Sequence, residues 1–312
     1  MKDLKIIKRD IQDFMRYFRR RVYYVGALFF SKLVLLIPYK LIVHYGSKFI
    51  GWIAYFVTRD SSDIAKRQLK SCFPDKSAQE IEKITRNIFV NEAKNFFELA
   101  NFPKLKGAFF DKISSVENSH LIKESLKKGK GVLIVSAHAG NWEITAAAVA
   151  RLGVPVNVVA KKIYIDGLNN MLVNYRLSKN VKVILKDSPD TARKLLKALK
   201  NGEIIAMLID QDTNVPSVFV DFFGKPAWTP SGLASLALKR GTDVLAGIDK
   251  RVGKYAHNTI ITGPIVIEPS GNFDKDVINL TQKASLVLEE HIRQYPDQWV
   301  WFHERWKTQK PL

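Results

Sequence analysis

Residues 131–152 read GVLIVSAHAGNWEITAAAVARL, and the fold turns on how they divide. The first six are apolar and β-branched, the pattern of a strand buried on both faces. The last ten, EITAAAVARL, read as a helix. Between them stand His138, Gly140 and Asn141, so a strand runs through a glycine-containing turn into a helix. Working outward, the short β-branched runs VPVNVVA (154–160), VKVIL (181–185), EIIAMLID (203–210) and TDVLAGID (242–249) alternate with helical stretches. Ser188-Pro189-Asp190 starts a helix that stops at Asn201-Gly202, with the serine as cap and the proline at its first position. A second helix runs from about Pro230-Ser231 to Arg240-Gly241, and a third covers about 274–294. Upstream, Ser77 and Glu80 form a capping box that opens a long helix. This alternation predicts an α/β fold with a mixed, largely parallel central sheet flanked by helices.

The N-terminal region has a different composition. Residues 1–21 carry eight basic side chains (Lys2, Lys5, Lys8, Arg9, Arg16, Arg19, Arg20, Arg21) against Asp3, Asp10 and Asp13. Two apolar segments follow, residues 22–39 and 41–57, interrupted by Lys32, His44 and Lys48. Each falls short of the ~20 apolar residues that a spanning helix needs. A basic flank before an apolar segment with Tyr23, Tyr24, Tyr39, Trp52 and Tyr55 predicts a membrane-associating helical segment over 1–58. The rival reading is a pair of buried helices on a soluble core. The catalytic domain would then occupy residues 59–312, after the composition break at TRDSSD.

The whole chain of 312 residues holds 49 Lys+Arg against 30 Asp+Glu, a net charge of +19. Such an excess implies an anionic partner: nucleic acid, an anionic membrane, or an acidic protein or phosphorylated substrate. Apolar content of 46% excludes intrinsic disorder, and the single cysteine, Cys72, excludes a disulfide framework or a multi-cysteine zinc site. No phosphate-binding loop, dinucleotide fingerprint or HExxH motif is present, so neither a nucleotide cofactor nor a metal is expected. Basic residues are scattered and no helix-turn-helix or RNA-recognition signature occurs, which argues against nucleic acid.

Of six histidines, only His138 ends a strand and faces a glycine turn, and strand ends are where α/β sheets bind ligands. His120 and His291 fall in helices, His257 begins a strand, His44 lies in the apolar segment, and His303 sits in an aromatic-rich C-terminal stretch. The turn lets His138 fold back toward Glu143, and small neighbours leave room for a substrate. A base near neutral pKa, a carboxylate to orient it and a helix N-terminus with unpaired N–H groups are what activation of a hydroxyl needs. Histidine and glutamate at this spacing also occur as structural caps.

The segment His138-Ala-Gly-Asn-Trp-Glu143 resembles the His-x4-Asp/Glu motif of the glycerolipid-type acyltransferases. It is most similar to the branch containing the bacterial lipid A biosynthesis lauroyl/myristoyl acyltransferases. Residues 69–74, LKSCFP, look like that family's N-L-x-x-C-F-P stretch, with Gln68 where asparagine is usual. Asp210-Gln211-Asp212 matches a D-Q-D motif. Residues 222–232, FFGKPAWTPSG, are similar to F-F-G-x-x-A-x-T-x-x-G, and 295–307, YPDQWVWFHERWK, to a C-terminal Y-P-E-Q-W-x-W-x-H-x-R-W/F-K. The motifs occur in the family's order across nearly the whole chain.

The resemblance implies transfer of a fatty acyl group from an acyl carrier protein thioester to a hydroxyl of a lipid A precursor. His138 would be the general base and Glu143 its orienting partner; acyl carrier protein would be a co-substrate, and no cofactor would be required. Gly140 and Asn141 would flank the acceptor, and Lys161 and Lys162 stand where the family commonly places an arginine. Arg176 is a further basic candidate, against a reading as solvated helix charge. Asp210 and Asp212 would orient basic groups or the acceptor, or cap a loop. Phe223, Gly224 and Thr229 would shape the substrate cleft, with Thr229 equally suited to a helix cap. The C-terminal tryptophans read as core or as an interfacial patch. The implied partners are an acyl carrier protein, a phosphorylated glycolipid and an anionic membrane, and the implied location is the cytoplasmic face of the inner membrane. The alternatives are acylation of a phosphatidylinositol mannoside or lysophospholipid, a nucleic-acid-binding protein, and a catalytically silent scaffold.

Overall fold

A computed structural model describes residues 2–310, with side chains at Met15 and from Phe18 onward. The side chains of Lys2, Lys5, Lys8, Arg9 and Arg16, on which the basic flank rests, lie outside the described residues.

The chain opens with the helices α1 (Lys2–Leu36), α2 (Tyr39–Leu41), α3 (Ser47–Val57), α4 (Arg59–Cys72) and α5 (Ala78–Ala100). A π-helical turn, Ile42–Gly46, joins α2 to α3. α5 starts at the expected capping box: Glu80 N–H donates to the Ser77 hydroxyl, and Ser77 N–H donates to the Glu80 carboxylate at 2.8 Å. There follow α6 (Gly107–Ile113), β1 (Ser114–Glu117), α7 (Ser119–Lys127), β2 (Val132–Ser136), α8 (Trp142–Ala150), β3 (Val156–Ala160), α9 (Asp166–Leu177), β4 (Val181–Leu185), α10 (Thr191–Lys200) and β5 (Ile204–Leu208). The rest is a hairpin of β6 (Ser217–Phe222) and β7 (Lys225–Pro230), then α11 (Gly232–Arg240), β8 (Val244–Val252), β9 (Ala256–Thr262) and α12 (Phe273–Gln294).

The central sheet has seven strands in the order β1-β9-β8-β2-β5-β3-β4. Every pair is parallel except β8–β9, so the expected mixed, largely parallel α/β architecture is the one observed. β2 lies at its centre, all five residues buried. Alternate residues face opposite layers. Val132 and Ile134 pack with α7 and α8, through Ile122, Ala146 and Val149. Leu133 and Val135 pack with α10, α11 and α12, through Leu199, Leu233 and Leu280. The proline at 189 precedes α10 rather than occupying its first turn. Helix geometry begins at Thr191, whose hydroxyl donates to the carbonyls of Leu185 and Ser188 at 2.6 Å.

α8 is covered twice, which is why seven of its nine residues are the apolar or small set Ile, Thr, Ala and Val. One side faces the sheet. The other meets a layer where Ile144, Ala147 and Ala148 pack with Phe97 of α5 and with Val34, Tyr39 and Val43 of the N-terminal helices. Part of the N-terminal segment is therefore core. Its other side leaves Phe29, Leu33 and Leu36 of α1 and Phe49, Trp52, Phe56 and Val57 of α3 exposed. Among the described residues no single helix is long and apolar enough to cross a membrane. Phe18–Leu36 and Tyr39–Val57 meet that length and composition as a pair, bent by 109°.

Candidate active site

β2 delivers His138 to the C-terminal edge of the sheet, and a short bridge between Ala139 and Trp299 holds the chain there. The imidazole does not pair with Glu143 as the sequence suggested. Its Nδ1 lies 2.9 Å from Asp210 Oδ1, and its backbone N–H donates to Asp210 Oδ2 at 2.8 Å. Trp299 Nε1–H donates to the same Oδ2 at 2.7 Å. Asp210 is thus a buried carboxylate whose oxygens all have donors, the condition for burying a charge. With Nδ1–H turned to Asp210, the imidazole keeps its Nε2 lone pair. Trp142 meets the ring edge-on, centroids 4.9 Å apart.

Glu143 binds Arg176 instead. Arg176 reaches in from α9 and donates from Nε to Oε2 at 2.8 Å and from Nη2 to Oε1 at 2.5 Å, a bidentate pair. Both side chains are close to nine-tenths buried, so Arg176 is not solvated helix charge. Burial lowers the pKa of His138, but the charge and hydrogen bond of Asp210, with Glu92 and Glu143 beyond, more than offset this and raise it. Asp210 moves the other way: burial raises it, and His138 and Trp299 bring it below the ordinary carboxylate value. Glu92 on α5 is pushed by burial to about 7, against the opposing charges of His138 and Arg251.

His138, Trp142, Glu143 and Arg176 line a cavity of about 500 Å³. Ile134, Ala206, Val156 and Val158 line it from one sheet face with Thr145, Ala146 and Val149 of α8. Val159, Met207, Ile209, Val215, Pro216 and Leu233 line it from the other, so the cavity wraps the sheet's C-terminal edge. Lys161 and Lys186 are its remaining charged lining residues. Lys162 is turned away and pairs with Asp166 at 2.7 Å.

The turn between His138 and α8 is built for rigidity. Gly140 adopts φ 59°, and a Cβ there would overlap the Asp249 carboxylate and carbonyl. Asn141 caps α8, accepting from Glu143 N–H and Ile144 N–H at 3.1 and 3.2 Å. Its own N–H donates to Asp249 Oδ2 at 2.7 Å, and Gly140 N–H donates to the Gln298 carbonyl at 2.7 Å. The Glu143 and Ile144 N–H groups at the start of the helix, expected from the sequence to be free for an anion, are therefore occupied.

Behind the turn lies a cluster that sequence reading missed. Glu98 accepts from Arg251 Nη1 and Nη2 at 2.5 and 2.8 Å, from Asn141 Nδ2 at 2.8 Å, and lies 3.1 Å from His257 Nε2. His257 Nδ1 lies 2.7 Å from Asp249. Asn95 Nδ2–H donates to the Gly140 carbonyl at 2.7 Å. Burial alone would lower the pKa of His257; Asp249 and Glu98 raise it to about 9. Two carboxylates and two cations so balance out of contact with water. The signal available in sequence was the run of ionisable and polar residues, Asp249 to Arg251 and His257 to Thr259, at adjoining ends of two strands, of which Asp249, Arg251, His257 and Thr259 are the buried alternate positions.

The other singled-out residues, Asp212, Phe223, Gly224 and Thr229, are not among those lining the cavity. Phe223, at φ 58°, and Gly224 form the β6–β7 turn outside the cavity wall. Phe223 packs on Phe73, Trp301 and Trp306. Thr229 is neither helix cap nor cavity lining: it is buried, and its hydroxyl accepts from Arg305 Nη2 at 2.5 Å. Asp212 accepts from Thr308 N–H at 2.9 Å, fastening the C-terminal stretch. Gln68 binds the same stretch, donating to the carbonyls of Trp301 and His303 and accepting from Arg305 N–H. Trp299 and Trp301 are core. Among the described residues no group of His, Cys, Asp and Glu is placed to hold a metal.

Comparison with known proteins bears on these motifs. The chain is 25% identical over 279 residues to the lipid A biosynthesis palmitoleoyltransferase of Escherichia coli (strain K12), covering 87% of each chain. It is 25% identical over 294 residues to the lauroyltransferase of the same organism, covering 91% of this chain and 90% of the relative. A phosphatidylinositol mannoside acyltransferase of Mycobacterium tuberculosis (strain CDC 1551 / Oshkosh) is 24% identical over 184 residues, covering 58% of this chain and 56% of the relative. The family model of bacterial lipid A biosynthesis acyltransferases matches residues 11–308, and the chain belongs to that family.

Proposed function

We propose that this acyltransferase moves a fatty acyl chain from an acyl carrier protein thioester to a hydroxyl of a lipid A precursor of the Kdo-lipid A type. The observation that carries the reading is a histidine held by a buried aspartate at the rim of an apolar cavity. His138 Nε2 takes the acceptor hydroxyl proton as the oxygen attacks the thioester carbonyl. The tetrahedral intermediate collapses with cleavage of the C–S bond, and the imidazolium returns the proton to the leaving thiolate. Asp210 holds the tautomer and steadies the imidazolium, the role given to Glu143 by sequence. The Glu143–Arg176 pair stands beside the ring, and Arg176, Lys161 and Lys186 provide positive charge for the oxyanion and for acceptor phosphates. The cavity wall of valine, alanine and isoleucine suits the acyl chain. The exposed aromatics of α1 and α3 seat the enzyme on the inner membrane with the sheet on the cytoplasmic side.

The test is acyl transfer by the full-length chain from acyl carrier protein to a Kdo-lipid A precursor, with the product identified by mass spectrometry. His138→Ala should lower kcat by about 10²–10⁴, and Glu143→Ala should also lose most of the rate. Full activity in both folded variants would sink the assignment. The mycobacterial relatives make a phosphatidylinositol mannoside the rival acceptor, so it belongs in the same panel.

A further inference from the structure

The reading above needs a donor carrier to reach His138, and α10 is placed to receive one. The helix reads TARKLLKALK, with Ala198 and Leu199 buried against the sheet. Its outer face exposes Arg193, Lys194, Leu196, Lys197 and Lys200, and the helix contains no acidic residue. Lys197 lies at i+4 from Arg193 and i+3 from Lys194, spacings at which like charges destabilise a helix. Arg193 and Lys194 also sit in the first turn, where the helix dipole disfavours cations. Asp190 pairs with Arg193 at 2.9 Å, which answers one of these charges. A negative partner on this face would answer the others.

Position supplies the second argument. The first residue of α10, Thr191, lines the cavity, and so does Lys186 just before it. The basic face therefore starts at the rim of the cavity that contains His138. α10 also packs on the sheet face opposite α8, whereas the N-terminal helices with the exposed aromatics cover α8. A membrane under those aromatics leaves the α10 face turned toward the cytosol side.

We infer that the exposed face of α10 is the docking surface for the acidic acyl carrier, with its thioester arm entering past Lys186 toward His138. The inference rests on the carrier being the donor, and the experiment separates the two. Full-length Lys194→Glu/Lys197→Glu would be compared with the wild type in two measurements. One is the Kd for labelled acyl carrier protein by fluorescence anisotropy; the other is transfer from acyl carrier protein and from the coenzyme A thioester of the same acyl chain. The expected result is a Kd and KM for the carrier raised about ten-fold or more. The kcat should be unchanged, as should transfer from coenzyme A wherever the wild type uses it. Lys194→Gln/Lys197→Gln, which removes charge without reversing it, should give a smaller shift in the same direction and covers the case of a misfolded double glutamate. An unchanged carrier Kd in either folded variant would overturn the inference. So would lost flotation with phosphatidylglycerol vesicles at unchanged carrier Kd, which would make the face a membrane contact. Carrier binding by the wild type that the variant loses, without acyl transfer from any donor, would support the docking face and sink the proposed function. A wild type that transfers from coenzyme A and does not bind the carrier would overturn the docking face alone.

Discussion

Asp210 carries the site at the scale of single residues. Its Oδ1 faces the His138 ring, and its Oδ2 accepts from the His138 backbone and from Trp299, so the imidazole has one tautomer and one orientation. Asp210→Asn removes the charge that raises the His138 pKa and leaves the burial that lowers it. The base must be neutral to act. The acidic limb of kcat/KM should therefore lie above the ordinary histidine value of 6.5 in the wild type and move to lower pH in the variant. The kcat should fall by about 10²–10⁴ with KM little changed, through the loss of tautomer control. A pH–rate profile of both proteins checks this; an acid limb that does not move would assign Asp210 to scaffolding. His138 was legible in the sequence because strand, small residues and glycine turn are all local. Its partner was not, since 72 positions separate it from Asp210 and only the assembled sheet brings β2 and β5 together. Proximity in sequence pointed to Glu143, which the fold gives to Arg176.

At the scale of elements, the turn into α8 is a rigid piece clamped from behind by α5, β8 and β9. Glu98→Ala would leave Arg251 and His257 as buried cations with one carboxylate between them. A loss of about 3–5 kcal/mol of stability is expected on breaking such a buried pair, measurable by urea denaturation. Gly140→Ala meets both a disfavoured φ and the Asp249 side chain and should cost about 2–4 kcal/mol. A well-folded, fully active Gly140→Ala would show that the turn tolerates displacement. β2, β3, β4, β5 and β8 were readable from their β-branched runs, and α5 from its period and capping box. β1, only four residues long, carries no periodic signal. Gly224, Pro226, Pro230 and Gly232 pointed to a turn entering a helix, but not to the hairpin strands β6 and β7 that flank Gly224, nor to Phe223 at positive φ, where local chemistry asks for glycine or asparagine.

For the molecule as a whole, pH and lipid should act on separate layers. His257 is held protonated in the folded state with its pKa raised to about 9. Its contribution to stability is complete below about 6.5 and is lost as pH rises through about 9. The urea midpoint should accordingly drop between pH 7 and pH 10, and His257→Gln should flatten that dependence. The N-terminal helices serve both the core and the exposed apolar face, so deleting them would uncover α8 as well as remove the proposed lipid contact. Substituting the exposed Phe49, Trp52 and Phe56 by serine separates the effects: binding to anionic vesicles should fall while the unfolding midpoint stays within a few degrees. The Trp299–Asp210 bond also has a bearing on how the protein is made. Trp299 is the last of these site-holding residues to leave the ribosome, long after the apolar helices of α1 and α3 have emerged. On the proposed membrane reading, a nascent chain would meet lipid before Trp299 closes the last donor onto Asp210, so address would precede chemistry.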